Sequence, residues 1–184
     1  MNRYIALLRG INVSGQKKIK MADLKELFLE LGFSSVVTYI QSGNVLFESN
    51  KTELNDISVT IHQGIAEKFG FDVPVLILKP DTLELIYSQN PFKQKLEKGA
   101  IEDKKMYFTL LESAPDVVSV KELENASFGD EKFAITDKVV YFYAANGYGK
   151  TKLNNNFFER KLKTKATTRN LKTVLKLLEM SDLD

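Results

Sequence analysis

The densest set of groups that could do chemistry lies between an apolar run and a helical pattern, at Arg9-Gly10-Ile11-Asn12-Val13-Ser14-Gly15-Gln16-Lys17-Lys18-Ile19-Lys20-Met21. Gly10 and Gly15 can take positive φ, and Asn12 and Ser14 can bond neighbouring backbone amides. Arg9, Lys17, Lys18 and Lys20 add four positive charges beside backbone N–H groups that face a helix start. Such a loop could hold an anion, without naming which one. A second polar set, Gln41-Ser42-Gly43-Asn44, sits where a hairpin tip is expected. Gly43 and Asn44 are what the backbone of a tight turn demands, so the glycine is structural, while Gln41, Ser42 and Asn44 are open to a base, a sugar or a phosphate.

Two segments near the other end carry similar chemistry. Gly147-Tyr148-Gly149-Lys150-Thr151 places a lysine and a hydroxyl after glycines, but the phosphate-loop spacing G-x-x-x-x-G-K-[ST] needs a glycine where Ala144 stands. A looser anion site at the start of the Leu153 helix, with Lys150, Thr151 and Lys152, stays open. Thr164 to Asn170 is read as the connection between the last two helices, with Thr168 or Asn170 as a cap for the final one. Arg169 presents a planar five-donor fork suited to a phosphate or carboxylate, from a ligand or from the protein itself.

Other chemistries are narrowed by composition. His62 is the only histidine and there is no cysteine, which excludes Ser-His-Asp triads, paired-histidine metal sites, thiolate nucleophiles and iron–sulfur clusters. His62 itself flanks the buried stripe of a helix, a surface position. No cofactor and no metal is expected. Tyr107, Phe108, Tyr141, Phe142 and Tyr143 could stack bases. Half of any such strand faces a core, however, and the K/R-G-F/Y-G/A-F-V-x-F/Y signature is missing, so core packing ranks first for them.

The net charge of +2 hides an uneven distribution. From Lys150 to Lys176 nine basic residues face one acid, Glu159, giving +8; with the +4 of the opening loop this leaves −10 for the rest of the chain. If the basic segments meet in space they form a field able to steer phosphate-bearing partners, and if they lie apart they are two solvated faces. No apolar run approaches the roughly 18 residues of a membrane span. Arg9 cuts Ile5 to Leu8 too short for a signal-peptide core, so a cytoplasmic protein is expected.

The elements that must position these groups follow from periodicity. Tyr4 to Leu8 is a continuous apolar strand; Ala22, Leu24, Leu27, Phe28 and Leu31 recur at helical spacing up to Gly32. Val36 to Gln41 and Val45 to Glu48 read as hairpin strands, Leu54 to Phe69 as a helix, and Val73 to Leu78 as a strand. This β-α-β-β-α-β order is the split, ferredoxin-like arrangement. Beyond it come a helix from Pro80 to Tyr87, a charged connector from Lys93 to Lys105, a strand from Met106 to Leu111, and a short helix from Pro115 to Leu123. A second hairpin runs over Lys132 to Thr136 and Val139 to Ala144, and helices over Leu153 to Leu162 and Leu171 to Met180 follow, with no obvious final strand. With 43% hydrophobic residues the chain has the material for a packed core. The expected class is α+β: a ferredoxin-like subdomain over 1–80, then a related, elaborated α/β subdomain over 81–184 ending in two basic helices, or one compact domain overall.

Ala6-Leu7-Leu8-Arg9-Gly10-Ile11-Asn12-Val13, Ile19, Met21-Ala22-x-Leu24, Leu31-Gly32-Phe33, Tyr39-Ile40-Gln41-Ser42-Gly43-Asn44-Val45, Lys152-Leu153-x-Asn155 and Ala166-Thr167-x-Arg169-Asn170-x-x-Thr173-Val174 together resemble the bacterial family known as domain of unknown function 1697. The resemblance runs nearly end to end. It implies a compact cytoplasmic α+β protein of ferredoxin-like character and brings no activity, substrate or cofactor. Its motif positions here are Arg9, Gly10, Asn12, Gln41, Ser42, Gly43, Asn44, Lys152, Arg169 and Asn170. Ser14 and Leu171 depart from the glycine and tryptophan frequent at those places.

The leading expectation is a binding module for a phosphate-bearing partner, nucleic acid or nucleotide. Arg9, Asn12, Lys17, Lys18, Lys152 and Arg169 would be the anion contacts, Gln41 and Asn44 directional donors, and Ser42 and Asn170 further ligand-binding residues. One alternative is an enzyme on a small phosphorylated substrate, with Asp137 or Glu159 as base. Another is a structural or protein-interaction domain with no ligand. Oligomeric state is not legible in the sequence.

Overall fold

A computed structural model describes residues 1–182. The order is β1 (Asn2–Leu8), α1 (Met21–Glu30), β2 (Ser34–Tyr39), β3 (Asn44–Ser49), α2 (Leu54–Phe69), β4 (Val75–Leu78), α3 (Pro80–Ser88) and α4 (Lys93–Glu97). It continues with β5 (Met106–Leu111), α5 (Val117–Glu124), β6 (Lys132–Ile135), β7 (Val139–Tyr143), α6 (Asn155–Leu162), β8 (Ala166–Asn170) and α7 (Leu171–Ser181). Two antiparallel sheets result, ordered β2-β3-β1-β4 and β6-β7-β5-β8. Each is the sheet of a ferredoxin-like unit, so the second half repeats the first in full.

The described residues divide into two compact units, one formed by Met1–Leu83 with residues 177–182, the other by Glu84–Lys176. It passes from the first to the second within α3 and returns within α7. The return closes a contact inside the first unit, where Arg3 Nη1 donates to the Ser181 carbonyl at 2.6 Å.

In the first unit β1 is the central strand, paired with β3 and β4. Tyr4, Ala6 and Leu8 pack with Val45, Phe47, Leu24, Phe28, Ile57, Ile61 and Ile65, while Ile5 and Leu7 on the other face are also buried. Burial on both faces explains why the strand reads as one apolar run and not as an alternation. The α2 stripe recurs at Ile57, Ile61 and Ile65, and the helix stops at Gly70, whose φ of 72° gives the left-handed cap expected of a glycine there.

In the second unit β5 takes the central place between β7 and β8. Leu111, Val140, Phe142, Leu153, Phe158, Leu162 and Ala166 form its core against α5 and α6. One expectation is corrected here. The segment from Thr164 to Asn170 is not a plain connection between helices: Ala166–Asn170 is β8, an edge strand that pairs antiparallel with β5 over its whole length. The charged connector also holds structure, namely the short α4 and a 3-10 turn at Asp103–Lys105.

Gly43 sits where two constraints meet. Its φ is +76°, and a Cβ on it would lie 2.6 Å from Leu8 Cβ and 2.9 Å from Ile11 Cδ1. Gly43→Ala is therefore expected to lower the unfolding free energy by more than about 2 kcal/mol, combining left-handed strain with a clash in a packed core. An unchanged urea midpoint would contradict this account of the hairpin tip.

Candidate functional site

The residues singled out by sequence fall into the two units, and each set is built up within its own unit. In the first unit β1 ends at Leu8, whose N–H donates to the Gly43 carbonyl at 2.8 Å, and the Arg9 N–H donates to Pro74 at 3.0 Å. The loop that follows is a small hairpin. Gln16 N–H donates to Val13 at 2.9 Å, and Ser14 (φ 51°) and Gly15 (φ 75°) both lie in the left-handed region, the signature of a type I′ turn. Asn12 and Lys17 at its base are left-handed as well.

The Asn12 side chain ties this loop down. Its Nδ2 donates to the carbonyls of Ile19 and Gln41, both at 2.8 Å, and its Oδ1 accepts from the Ile19 N–H at 2.9 Å. It thus closes the loop and fastens it to the second hairpin. Asn44 does similar work: it is fully buried, and its Nδ2 donates to the Tyr39 carbonyl and to Ser42 Oγ, each at 3.0 Å. Asn12, Ser42 and Asn44 therefore direct their polar atoms at protein groups. Gln41 and Lys18 are exposed, Arg9 is half-buried, and Lys17 Nζ donates to the Asp72 carbonyl. Asp72 also meets His62, at 2.8 Å.

In the second unit a denser cluster surrounds the edge strand. Arg169 pairs with Phe108 across the sheet and is buried. Its Nη1 donates to the Thr168 carbonyl at 3.0 Å. Burial holds its guanidinium down to about 10, with the nearby Tyr148 phenol acting in the opposite direction. The group is still charged at neutral pH. Its folded-state value lies below the ordinary one, so its burial weighs against the fold at all pH below about 10, and that burden shrinks as pH rises further toward the ordinary arginine range.

Tyr148 stacks on Tyr107 with ring centroids 4.4 Å apart and planes 27° apart. Desolvation, and then the neighbouring Tyr148, push the Tyr107 hydroxyl up from its ordinary value, so it stays protonated. Tyr148 Oη accepts the Asn155 N–H at 3.1 Å, at the first residue of α6. Asn155 Oδ1 accepts from Thr168 Oγ1 at 2.9 Å, and Thr168 Oγ1 lies 2.9 Å from Thr109 Oγ1. Since Thr168 has one proton and gives it to Asn155, Thr109 is the donor to Thr168. The chain ends at Asn155 Nδ2, which is buried with no acceptor among the described residues.

Asn170, not Thr168, caps α7, its Oδ1 accepting the Thr173 N–H at 2.9 Å. Lys150 and Lys152 are exposed, while the Thr151 hydroxyl donates to Glu131 at 2.7 Å. Of this cluster Thr109 is not singled out by sequence, and Tyr148, Asn155 and Thr168 are named there without the role they take here. The signals for them were present: Tyr148 stands between glycines, and Asn155 follows Lys152-Leu153 in the segment used for the family resemblance.

Taken together, fold and cluster define a protein of two ferredoxin-like units with polar groups gathered at strand ends and helix starts. The family model described as "Protein of unknown function (DUF1697)" matches residues 1–141, and the chain belongs to that family. It is similar over 98% of its length to 98% of a solved chain, the conserved bacterial protein SP0830 from Streptococcus pneumoniae, with 25% identity and a TM-score of 0.74. Comparison with curated proteins gives no match. Among the described residues no helix is long and apolar enough to cross a membrane.

Thr168→Val keeps the shape of the side chain but strands both the Thr109 hydroxyl and Asn155 Oδ1. The expected loss of unfolding free energy is about 1–3 kcal/mol, read from denaturant titration. A neutral substitution would show that the three groups do not act as a chain.

Proposed function

We propose that the protein binds a phosphate-bearing partner, with single-stranded nucleic acid as the class best suited to the second unit. The supporting observation is the half-buried stack of Tyr107 on β5 and Tyr148, whose hydroxyl meets the start of α6, among exposed basic side chains. Aromatic rings offer a face on which a base can stack whatever its sequence. Seven of the nine basic side chains from Lys150 to Lys176 are exposed: Lys150, Lys152, Arg160, Lys161, Lys163, Lys165 and Lys172. They supply the long-range attraction. In the first unit, Arg9, Lys17 and Lys18 stand on a loop anchored by Asn12 and are the second place where phosphate contacts are proposed.

A labelled single-stranded oligonucleotide titrated by fluorescence anisotropy tests this. Affinity should fall with salt by about 0.7 log units per log unit for each phosphate neutralised. Lys152→Ala should shallow that slope by about 0.7, if Lys152 meets one phosphate. Tyr148→Leu should weaken binding about five- to 150-fold, the loss of one stacked base at roughly 1–3 kcal/mol. Absence of binding at low salt would remove the nucleic-acid reading, and competition by a mononucleotide would narrow it to a small ligand.

An architectural role is favoured for Asn12 and Asn44, because their amides meet backbone carbonyls. Asn12→Ala should lower the melting temperature while leaving oligonucleotide affinity within about twofold. A large affinity change at constant stability would instead place Asn12 in contact with the partner.

A further inference from the structure

In the first unit three loops are fastened together at one end of the sheet. The Leu8 N–H donates to the Gly43 carbonyl at 2.8 Å, and the Arg9 N–H to the Pro74 carbonyl at 3.0 Å. Asn12 Nδ2 donates to the Gln41 carbonyl at 2.8 Å, and Lys17 Nζ to the Asp72 carbonyl. Left-handed backbone gathers in these loops. Of the six non-glycine residues with positive φ among those described, four lie here: Asn12, Ser14, Lys17 and Ile40. Asn12 and Ser14 are short polar residues that tolerate the conformation, and Ser14 belongs to the type I′ turn. Ile40 does not fit that account. It is β-branched, its φ is 47°, and it opens the turn between β2 and β3, where glycine or asparagine would meet the same backbone with less strain. Its side chain is 49% exposed and stands outside the core around Tyr4, Phe28 and Phe47, so packing there does not account for it either. A stiff apolar side chain kept in water at a strained position points to a contact made outside the folded chain.

The surroundings give that contact a chemistry. Val13, next to Asn12 in the neighbouring hairpin, is 56% exposed. The loops over 9–20 and 40–43 hold Arg9, Lys17, Lys18 and Lys20 and no acid. Asp72, the acid of the third loop, meets His62 at 2.8 Å. Apolar tips on loops of one positive sign match a partner in which apolar surfaces alternate with negative charge. Bases strung on a phosphate backbone have that character, and isoleucine is among the side chains that enter between bases and unstack them.

We propose that Ile40 is a wedge that enters between the bases of a bound single strand, with Val13 as a second apolar contact and Lys17 and Lys18 on the flanking phosphates. This rests on the nucleic-acid reading above and names the residues that meet bases in the first unit. The test uses the full chain and an adenine-rich DNA single strand with one central 2-aminopurine, whose fluorescence is quenched in the stack and rises on unstacking. Fluorescence should rise as the protein saturates the strand, with binding itself followed by anisotropy. Ile40→Asn relieves the left-handed strain, so it should keep or raise the melting temperature while losing most of the fluorescence rise. Its affinity should fall about three- to tenfold, the loss of one apolar contact. Val13→Ser should act in the same direction to a smaller degree, and it is read alone should Ile40→Asn fail to fold. Binding without a fluorescence rise, or the same rise and affinity in the folded variants, would overturn the wedge and leave the nucleic-acid reading standing. No binding of the strand at all would remove both. Saturable binding of a peptide of glutamates and leucines, lost in Ile40→Asn, would make the surface a protein-docking one and overturn the wedge as well.

Discussion

Both units depend on a central strand that is hydrogen-bonded on both sides and largely buried. β1 is hydrogen-bonded on each side, and its side chains from Tyr4 to Leu8 are buried above and below the sheet. Between Tyr4 and Leu8 such a strand offers no place for a charged group, since an unpaired polar atom there would lose its hydration with nothing in return. Chemistry is displaced to where the strand leaves the sheet. In the first unit that point is Arg9, and the chain answers with a tight hairpin whose backbone is held by one amide, Asn12. β5 follows the same rule with one exception. Thr109, 1% exposed, is polar in the middle of the strand, and it is tolerated because Thr168 and Asn155 complete its hydrogen bonding.

The parts of the fold that are legible in sequence are those whose burial is simple. The run Tyr4 to Leu8, the helical spacing of Ile57, Ile61 and Ile65, and the glycines that stop α1 and α2 each follow from one local rule. β8 escapes such rules because Ala166-Thr167-Thr168-Arg169-Asn170 has neither a continuous apolar run nor an apolar alternation. Its partner on one side is β5 and among the described residues it has none on the other, so hydrogen bonding and the Thr–Thr contact contribute to holding it in place. The two β-branched threonines were the available hint.

The polar motifs show a similar division. Asn12, Ser42 and Asn44 were recognisable as residues with a task, but sequence cannot say whether an amide meets a ligand or a carbonyl of its own chain, because that depends on which segments fold together. The Gln41 carbonyl is 29 residues from Asn12. Tyr148 and Tyr107 are 41 positions apart, and their stacking is a property of the loop after β7 folding back over the start of β5. Charge was readable residue by residue, and its division between units was not. The first unit holds nine basic and twelve acidic residues, a net −3, against +5 for the second.

Because α7 begins in the second unit and ends in the first, the polypeptide is finished in a different order from the one in which it is made. The Arg3 guanidinium meets a carbonyl 178 residues further along the chain. During synthesis Glu84–Lys176 can therefore reach its full complement of contacts before the segment that precedes it does. The contact between Arg3 and Ser181 thus makes the first unit one of high sequence separation, closed by residues that follow the whole of the second.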